Sequence, residues 1–213
     1  KDAGDTLRKL IADKVAAIQP SGIRKFFDIV SEMDDVISLG VGEPDFDTPW
    51  HIRDEGIYSL EKGRTYYTSN AGLLELRQEI SKYVQNKYHV SYDPKTEILV
   101  TVGGSEAIDL SMRAMLEPGD EVLIPQPSFV AYEPCAIMAD GVPKFIDLKA
   151  ENEFRLTADD LRAAITERTK ILVLPFPNNP TGSIMSRRDL EEIAQVIIEN
   201  DLIVAVSYTH LRA

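Results

Sequence analysis

Short apolar runs alternate with amphipathic segments over most of this 213-residue chain, and that alternation limits the folds open to it. The runs are rich in Val, Ile and Leu, and each except the last is followed by apolar residues at helical spacing. They occupy residues 97–103, 121–127, 143–148, 170–177 and 202–207. Strands that are apolar on both faces are typical of a parallel sheet covered by helices on both sides. The sequence therefore predicts a three-layer α/β/α fold with a mainly parallel sheet.

The first hundred residues contain more helical signals than strand signals. Two helix-like segments at 5–18 and 22–33 are separated by "QPSG", and "VISLGVGEPDFDTP" then suggests a short strand that runs into a Gly/Pro loop. Further helices are predicted to start near Pro49 and near Gly72. In open α/β sheets ligands bind beyond the carboxyl ends of the strands, so the loops after the strands are the places to search for a site.

Composition excludes several classes of function. The 35 acidic and 23 basic residues give a net charge of −12, which argues against a nucleic-acid partner or an anionic membrane surface. No window is long and apolar enough for a membrane span, and the first residues lack the apolar segment of a secretory signal. The single cysteine, Cys135, can form no intrachain disulfide. The expected partners are small molecules or other subunits, and the expected location is the cytoplasm.

The segment "VTVGGSEAIDL" places two glycines and Ser105 between a predicted strand and a predicted helix. Ser105 suits a helix N-cap, and free N–H groups at a helix start favour an anion such as phosphate. The alternative is an ordinary turn that needs positive φ at Gly103 or Gly104. The spacing matches neither G-x-G-x-x-G nor a Walker loop, which disfavours a dinucleotide or a nucleoside triphosphate.

Three other loops carry features that suit a flat, anionic ligand. Phe129 or Tyr132 could stack on a heteroaromatic ring. The alternative is that both are core aromatics at positions i and i+3 of the next helix. In "NNPTG", Pro180 restricts Asn179 and could fix its amide beside a phenolate, although these residue types also form plain turns. In "SLGVGEPDF", Gly40 and Gly42 expose backbone to a ligand or merely bend the chain.

Taken in order, these segments resemble the pyridoxal-phosphate-dependent aminotransferases of class I/II, which have fold type I. The resemblance extends from about residue 22 to residue 207 and rests on "SLGVGEPDF", "YYTSNAGLLELR", "VTVGGSEAI", "PQPSFVAY" and "FPNNPTG". The chain looks most similar to the aspartate, aromatic and N-acetyl-diaminopimelate aminotransferase branch. The resemblance implies the large domain of that fold, here truncated, together with an N-terminal helical segment of the small domain.

The resemblance also implies roles for individual residues toward pyridoxal 5'-phosphate. By similarity to the family, Gly104, Ser105 and Glu106 hold the cofactor phosphate, Phe129 stacks on the pyridine ring, and Asn179 donates a hydrogen bond to the ring's 3' oxygen. Stabilising that phenolate helps to set the reactivity of the cofactor.

Two more residues correspond to family positions outside the cofactor ring. Gly42 matches the glycine whose backbone meets the substrate carboxylate. Tyr67 matches a tyrosine that reaches the phosphate of the neighbouring subunit, so the resemblance implies a homodimer with shared active sites. The implied substrates are an amino acid and a 2-oxo acid, and no metal is implied.

The chain departs from the family pattern after Ser207. Tyr208 stands where the family has the aspartate that pairs with the pyridinium nitrogen. The lysine that binds the cofactor covalently is expected beyond Ala213, so no catalytic residue is assigned within the chain. Lys62 in "SLEK" is interpreted as a solvated helix-terminal lysine and no substitute.

The resemblance divides the chain into three parts. Residues 1–45 are expected to form an N-terminal segment with part of the small domain, 46–207 an incomplete cofactor-binding domain, and 208–213 a foreign tail. The function implied is transfer of an amino group between an amino acid and a 2-oxo acid. The alternatives are a truncated, inactive fragment that at most binds cofactor or a partner subunit, and another fold-type-I enzyme such as a lyase or decarboxylase.

Overall fold

The computed structural model describes residues 10–19 and 45–207, together with residues 22, 29 and 37. The chain separates into two compact units, one formed by 1–31 with 103–212 and the other by 32–102 with 213. The larger unit contains helices α1 and α4–α7 and strands β1–β4, and the smaller unit contains helices α2 and α3. Each unit is described separately below.

From residue 121 onward, the described strands and helices alternate as the sequence pattern predicts. The helices are α1 (Asp13–Ala17), α2 (Trp50–Glu61), α3 (Leu74–Tyr88), α4 (Gly104–Met115), α5 (Tyr132–Met138), α6 (Ala158–Ala164) and α7 (Arg187–Glu199). The strands are β1 (Glu121–Gln126), β2 (Val142–Asp147), β3 (Thr169–Leu174) and β4 (Ile203–Val206), with a short 3₁₀ helix at Ala150–Asn152.

The four strands form one parallel sheet in the order β2-β1-β3-β4. Consecutive strands are joined by α5, α6 and α7, so each connection is a βαβ unit. The prediction of a parallel α/β fold is confirmed for this unit.

Two apolar clusters cover the two faces of the sheet. Alternate side chains of β1 and β3 point to opposite faces, because successive residues of a strand alternate in direction. One face packs against α4 and α5 through the cluster Met112, Leu116, Val122, Ile124, Tyr132, Cys135, Ala136, Ala139, Ile171 and Val173. The other packs against α6 and α7 through Leu123, Ile146, Leu148, Leu156, Leu161, Leu172, Phe176, Ile193 and Val196. The three-layer arrangement predicted from the apolar strands is thus confirmed.

Side-chain caps start the two helices that cover the second face of the sheet. The Thr157 hydroxyl accepts a hydrogen bond from the Asp160 backbone N–H at 3.1 Å. At α7, Ser186 and Asp189 form a reciprocal capping box, which satisfies two backbone donors that the helix leaves unpaired. The Ser186 hydrogen bonds also lower the pKa of the Asp189 carboxyl below its ordinary value.

The smaller unit confirms the helices predicted near Pro49 and near Gly72. Gly72 has φ +93°, and a Cβ there would lie 2.7 Å from the Val100 Cβ, so this turn requires glycine. In α3 the buried Arg77 donates from Nη1 to the carbonyl oxygens of Pro94 at 2.7 Å and Lys95 at 3.2 Å. These bonds tie α3 to the turn that follows it.

Three sequence-based expectations have a different outcome. The strand predicted at 97–103 is wrong, because those residues join no ladder with β1–β4 and the Val100 N–H bonds instead to the Ala71 carbonyl at 3.0 Å. An apolar run becomes a strand only beside a partner strand. The helix predicted at 5–18 is present only as α1, with 5–9 outside the described residues. The helix at 22–33 and the strand beginning at Val36 fall almost entirely outside them.

The amino ends of the strands carry a partly buried charge cluster, at the edge opposite the loops considered below. The Thr166 hydroxyl donates to Glu121 Oε2 at 2.6 Å, and Lys144 Nζ lies 3.6 Å from Glu121 Oε1. The Thr166 hydrogen bond lowers the pKa of Glu121 below its ordinary value, and the nearby Lys144 charge adds to this effect. A neighbouring pair, Asp120 and Lys170, joins the start of β1 to β3 at 2.7 Å.

Because the pKa of Glu121 is lowered by folding, its carboxylate stabilises the folded chain above the ordinary glutamate pKa of about 4.3. We expect Glu121→Gln to be less stable than the parent chain at pH 7. The difference should shrink as the pH falls below about 4.3 and disappear below the folded-state pKa of Glu121. Urea unfolding of both chains between pH 3 and pH 7 measures it, and a difference that does not change with pH would contradict the assignment.

None of the helices in the described ranges, 10–19 and 45–207, has the length and apolar character needed to cross a membrane.

Candidate active site

The strand order creates a crevice at the carboxyl ends of β1 and β3. These two strands are neighbours, but the chain leaves β1 toward β2 on one side and leaves β3 toward β4 on the other. The loops after β1 and β3 therefore diverge, and ligands of open α/β sheets bind where such loops separate. We call the space between loop 127–131 and loop 175–186 the β1/β3 crevice.

Helix α4 directs its N-terminus toward the same edge of the sheet. Arg113 in the last turn of α4 donates from Nη1 to the carbonyl of Met138, at the end of α5, at 3.3 Å. Helix α5 returns the chain from the end of β1 to the start of β2, so α4 ends near the amino ends of the strands and runs antiparallel to β1. A 12-residue helix spans about 18 Å and a 6-residue strand about 20 Å, which brings the first turn of α4 level with the end of β1. The predicted phosphate segment thus lies at the edge that carries the crevice.

The start of α4 is built by a glycine. Gly103 is the N-cap residue, with φ +83° and ψ 170°, and a Cβ added there would meet no atom within 4 Å. Ser105 is the second residue inside the helix, so its predicted role as N-cap is wrong: the positive φ that starts the helix falls two residues earlier. Gly104, Ser105 and Glu106 form the exposed first turn. The N–H groups of a first turn have no acceptor within the helix and suit an anion.

The aromatic pair after β1 divides into one core residue and one partly exposed residue. Tyr132 is 1% exposed and begins α5, whereas Phe129 precedes the helix and is half-buried. Their rings meet edge to face, with centroids 5.7 Å apart and an interplanar angle of 81°. Phe129 is therefore packed against Tyr132 at the margin of the core and is less deeply buried than Tyr132.

The Tyr132 hydroxyl also reaches the end of β4. Its oxygen lies 2.6 Å from Ser207 Oγ, a contact between residues 75 positions apart. The sequence analysis left Tyr132 open as a stacking or a core residue, and its burial places it in the core. The contact joins the element that supports Phe129 to the residue immediately before position 208.

The opening apolar run of "LVLPFPNNPTGS" ends in a loop whose two asparagines have different environments. Asn179 is exposed, whereas Asn178 is only 4% exposed. Asn178 Nδ2 donates to the Pro127 carbonyl at 2.7 Å and to Thr181 Oγ1 at 3.0 Å. Its backbone N–H bonds to the Ser183 carbonyl and its carbonyl accepts from the Gly182 N–H. The sequence analysis chose Asn179 and missed Asn178. The one local hint that Asn178 is buried is its position directly after the apolar run 172–177.

The Asn178 side chain keeps one atom without a partner among the described residues. Its Oδ1 is buried and accepts no hydrogen bond from them. The orientation of the amide is therefore set by the two bonds that Nδ2 donates. In the core, burial raises the pKa of the Cys135 thiol, which favours its protonated form.

Comparison with known proteins decides which family has this arrangement. The sequence profile of the aminotransferase class I and II family matches residues 34–210. The chain belongs to the class I and II aminotransferases. The resemblance described from the motifs is thereby confirmed. Aminotransferases of this family generally depend on pyridoxal 5'-phosphate.

Individual aminotransferases agree in sequence and in structure. The chain is 47% identical over 194 residues to aspartate aminotransferase of Pyrococcus abyssi (strain GE5 / Orsay), covering 91% of this chain and 50% of that protein. It is 43% identical over 194 residues to aromatic-amino-acid aminotransferase 2 of Thermococcus litoralis, with the same two coverages. A crystallised single mutant of Thermus thermophilus aspartate aminotransferase matches with a TM-score of 0.83 and 35% identity, over 91% of this chain and 52% of that chain.

The chain spans about half the length of the curated aminotransferases it matches. Of the site residues predicted by the family resemblance, the first turn of α4, Phe129 and Asn179 lie in the larger unit at the edge of the crevice. Tyr67 lies in the smaller unit with its side chain fully exposed. Gly42 and Tyr208 lie outside the described residues, and the roles of all these residues stay predictions.

Proposed function

We propose that this chain is the cofactor-binding part of an enzyme that moves an amino group between an amino acid and a 2-oxo acid by means of pyridoxal 5'-phosphate. The observation that carries the proposal is the convergence of three kinds of group on one edge of the sheet. These are the first turn of α4, the partly exposed residue Phe129 and the loop that bears Asn179. The family membership of the chain supports it.

The donor set at this edge fits the chemistry of the cofactor. A helix N-terminus with two glycines and a serine suits a phosphate, because backbone N–H groups and a hydroxyl are donors at short range. A flat aromatic side chain suits a pyridine ring, and a neutral amide suits a phenolate. When bound, the cofactor supplies an electron sink for carbanion formation at the substrate.

We further propose that the first turn of α4 holds the phosphate, with Ser105 adding its hydroxyl. Phe129 covers one face of the ring, and the side-chain amide of Asn179 donates to the phenolic oxygen and so favours its ionised form. The backbone of Gly42 binds the substrate carboxylate. Tyr67 reaches the phosphate of a second subunit, which makes the working unit a homodimer. The expected location remains the cytoplasm.

The covalent step needs a lysine, and we propose that it lies beyond Ala213 and that the chain by itself is inactive. Among the described lysines, Lys149 comes closest to the right place, because it follows the carboxyl end of β2. Its side chain is exposed and β2 is the outer strand of the sheet, one strand away from the β1/β3 crevice.

One experiment tests both statements. The purified chain is incubated with pyridoxal 5'-phosphate, reduced with borohydride and mapped by peptide mass spectrometry, in parallel with an assay of amino transfer. We expect reversible binding, no single reduced lysine and no transfer. A single adduct on Lys149, or measurable transfer, would show that the chain carries its own lysine. No binding at all would leave only the alternative of an inactive fragment.

The role of Asn179 makes a separate prediction. A probe that cannot react with lysine, 4'-deoxypyridoxine 5'-phosphate, reports the ionisation of its phenol by absorbance. A donor to the phenolate lowers the phenol pKa, so Asn179→Ala should raise the pKa of the bound probe toward its value in water. Binding at neutral pH should weaken by about 10-fold, the effect expected for losing a hydrogen bond to a charged group.

Asn200→Ala is the matched control for Asn179→Ala. Asn200 ends α7 and donates from Nδ2 to the Val196 carbonyl at 2.8 Å, far from the crevice. We expect this variant to bind the probe with the parent affinity and the parent phenol pKa. A parent-like phenol pKa in Asn179→Ala would remove Asn179 from the site.

A further inference from the structure

Asn178 forms the side-chain link across the β1/β3 crevice. Its Nδ2 donates to the carbonyl oxygen of Pro127, which belongs to the loop after β1, while its own backbone belongs to the loop after β3. The bond is 2.7 Å long and joins residues 51 positions apart in the chain. Because the two loops diverge from neighbouring strands, a contact between them sets how far apart they stand.

The same amide also holds its own loop in shape. Nδ2 donates a second bond to Thr181 Oγ1, and Thr181 Oγ1 in turn accepts from the Ser183 N–H at 3.2 Å. The backbone of Asn178 adds one bond to Ser183 and one to Gly182. Asn178 therefore stabilises the turn of loop 178–183 by hydrogen bonds within that loop, and it also joins that loop to loop 127–131.

The two residues proposed to meet the cofactor ring are adjacent to these attachment points. Phe129 lies two residues after Pro127, and Asn179 is the residue after Asn178. Burial makes the link strong, since a hydrogen bond at a site 4% exposed does not compete with water as a surface bond does. A change at Asn178 thus alters the placement of Asn179 relative to Phe129 without removing either side chain.

We propose that Asn178 is a positioning residue that fixes the width of the crevice between Phe129 and Asn179. The proposal deepens the proposed function and rests on it, since the ring of the cofactor is the object that the crevice would hold. Asn178 acts through Asn179 and needs no contact with the ligand. It therefore affects binding and the phenol pKa of the ligand in the same direction as the loss of Asn179.

The test compares Asn178→Leu, Asn178→Ala and the control Asn200→Ala with 4'-deoxypyridoxine 5'-phosphate as the probe. Leu has the branched outline of Asn but is neutral and donates no hydrogen bond, so it removes the bond without leaving the space empty or adding a charge. We expect both Asn178 variants to bind the probe about 10-fold more weakly than the parent and to raise the phenol pKa of the bound probe. Asn200→Ala should change neither quantity, although it also loses a bond from an amide to a backbone carbonyl.

A double-mutant cycle with Asn179→Ala distinguishes positioning from a separate contact. If Asn178 acts through Asn179, Asn178→Leu should raise the phenol pKa in the parent chain and leave it unchanged in the Asn179→Ala chain. Equal shifts in both backgrounds would overturn the proposal. Asn178 variants that unfold more easily than the parent, yet keep its affinity and phenol pKa, would also overturn the proposal.

A milder variant keeps the proposal testable if neither Asn178 variant folds. Thr181→Val removes one of the two acceptors of Asn178 Nδ2 with little change in shape. We expect about 3-fold weaker binding with the phenol pKa moved in the same direction; parent-like values would overturn the proposal. A parent chain that does not bind the probe would instead overturn the proposed cofactor site, and the role of Asn178 with it.

Discussion

Ser105→Asp is expected to weaken binding of pyridoxal 5'-phosphate by about 100-fold while α4 remains as stable as in the parent chain. The first turn of α4 is proposed to hold the phosphate, and a carboxylate there would lie beside a group of like charge. Two unit charges about 4 Å apart repel by several kcal/mol near a protein surface, before screening by salt. An acidic residue in the first turn of a helix is itself favourable by roughly 0.3–1 kcal/mol, so the fold should tolerate the change.

Ser111→Asp is the matched control for this variant. It adds the same charge to the same helix, on an exposed residue six positions later. Affinity is measured by absorbance titration, and stability by thermal unfolding of the three chains without ligand. We expect Ser111→Asp to bind nearly as the parent does. Equal loss of affinity in both variants would mean that net charge repels the ligand, and unchanged affinity in Ser105→Asp would move the phosphate site away from α4.

The largest stability effect is expected from Leu172→Ala, which should lower the free energy of unfolding by about 2–5 kcal/mol. Leu172 is fully buried in β3, where it pairs with Leu123 of β1 and Val204 of β4 and packs under α6 and α7. Alanine would remove three carbon atoms at a position enclosed by strands on both sides, which leaves little freedom for the surroundings to collapse. Since the free energy of unfolding of a domain is about 5–15 kcal/mol, this change would remove a large part of it.

Ile198→Ala provides the comparison on α7. Ile198 is 74% exposed, so its truncation should change stability by less than about 0.5 kcal/mol. Urea unfolding followed by far-ultraviolet circular dichroism measures both variants. A cost below about 1 kcal/mol for Leu172→Ala would mean that the second face of the sheet is not closely packed.

Much of the fold can be predicted from sequence because its signals are local. Apolar runs such as 121–127 and 170–177 become strands of a parallel sheet, and the apolar residues at helical spacing that follow them become helices. These patterns depend on residues within a turn or a strand of one another. The run at 97–103 fails as a strand for the same reason, since a strand also needs a partner that local pattern does not reveal.

The candidate site divides in a similar way. The order of motifs along the chain was enough to indicate the family, and it directed attention to Ser105, Phe129 and Asn179. It left open whether Gly103 or Gly104 takes a positive φ. The structure assigns this conformation to Gly103, at φ +83°, because a helix start depends on the conformation that the fold imposes. The order of motifs also could not show that Asn178 is the buried member of "NNPTG" and bonds to Pro127.

By itself, then, the sequence determined the parallel α/β architecture and the family, through periodicity and short motifs that act over a few residues. Only the tertiary structure decided which side chains meet at the crevice. The strand order β2-β1-β3-β4 places loop 127–131 beside loop 175–186, and packing then joins Asn178 to Pro127 and Tyr132 to Ser207. These contacts span 51 and 75 residues, and a hydrogen bond between distant residues follows from the order of strands in space, which no local pattern encodes.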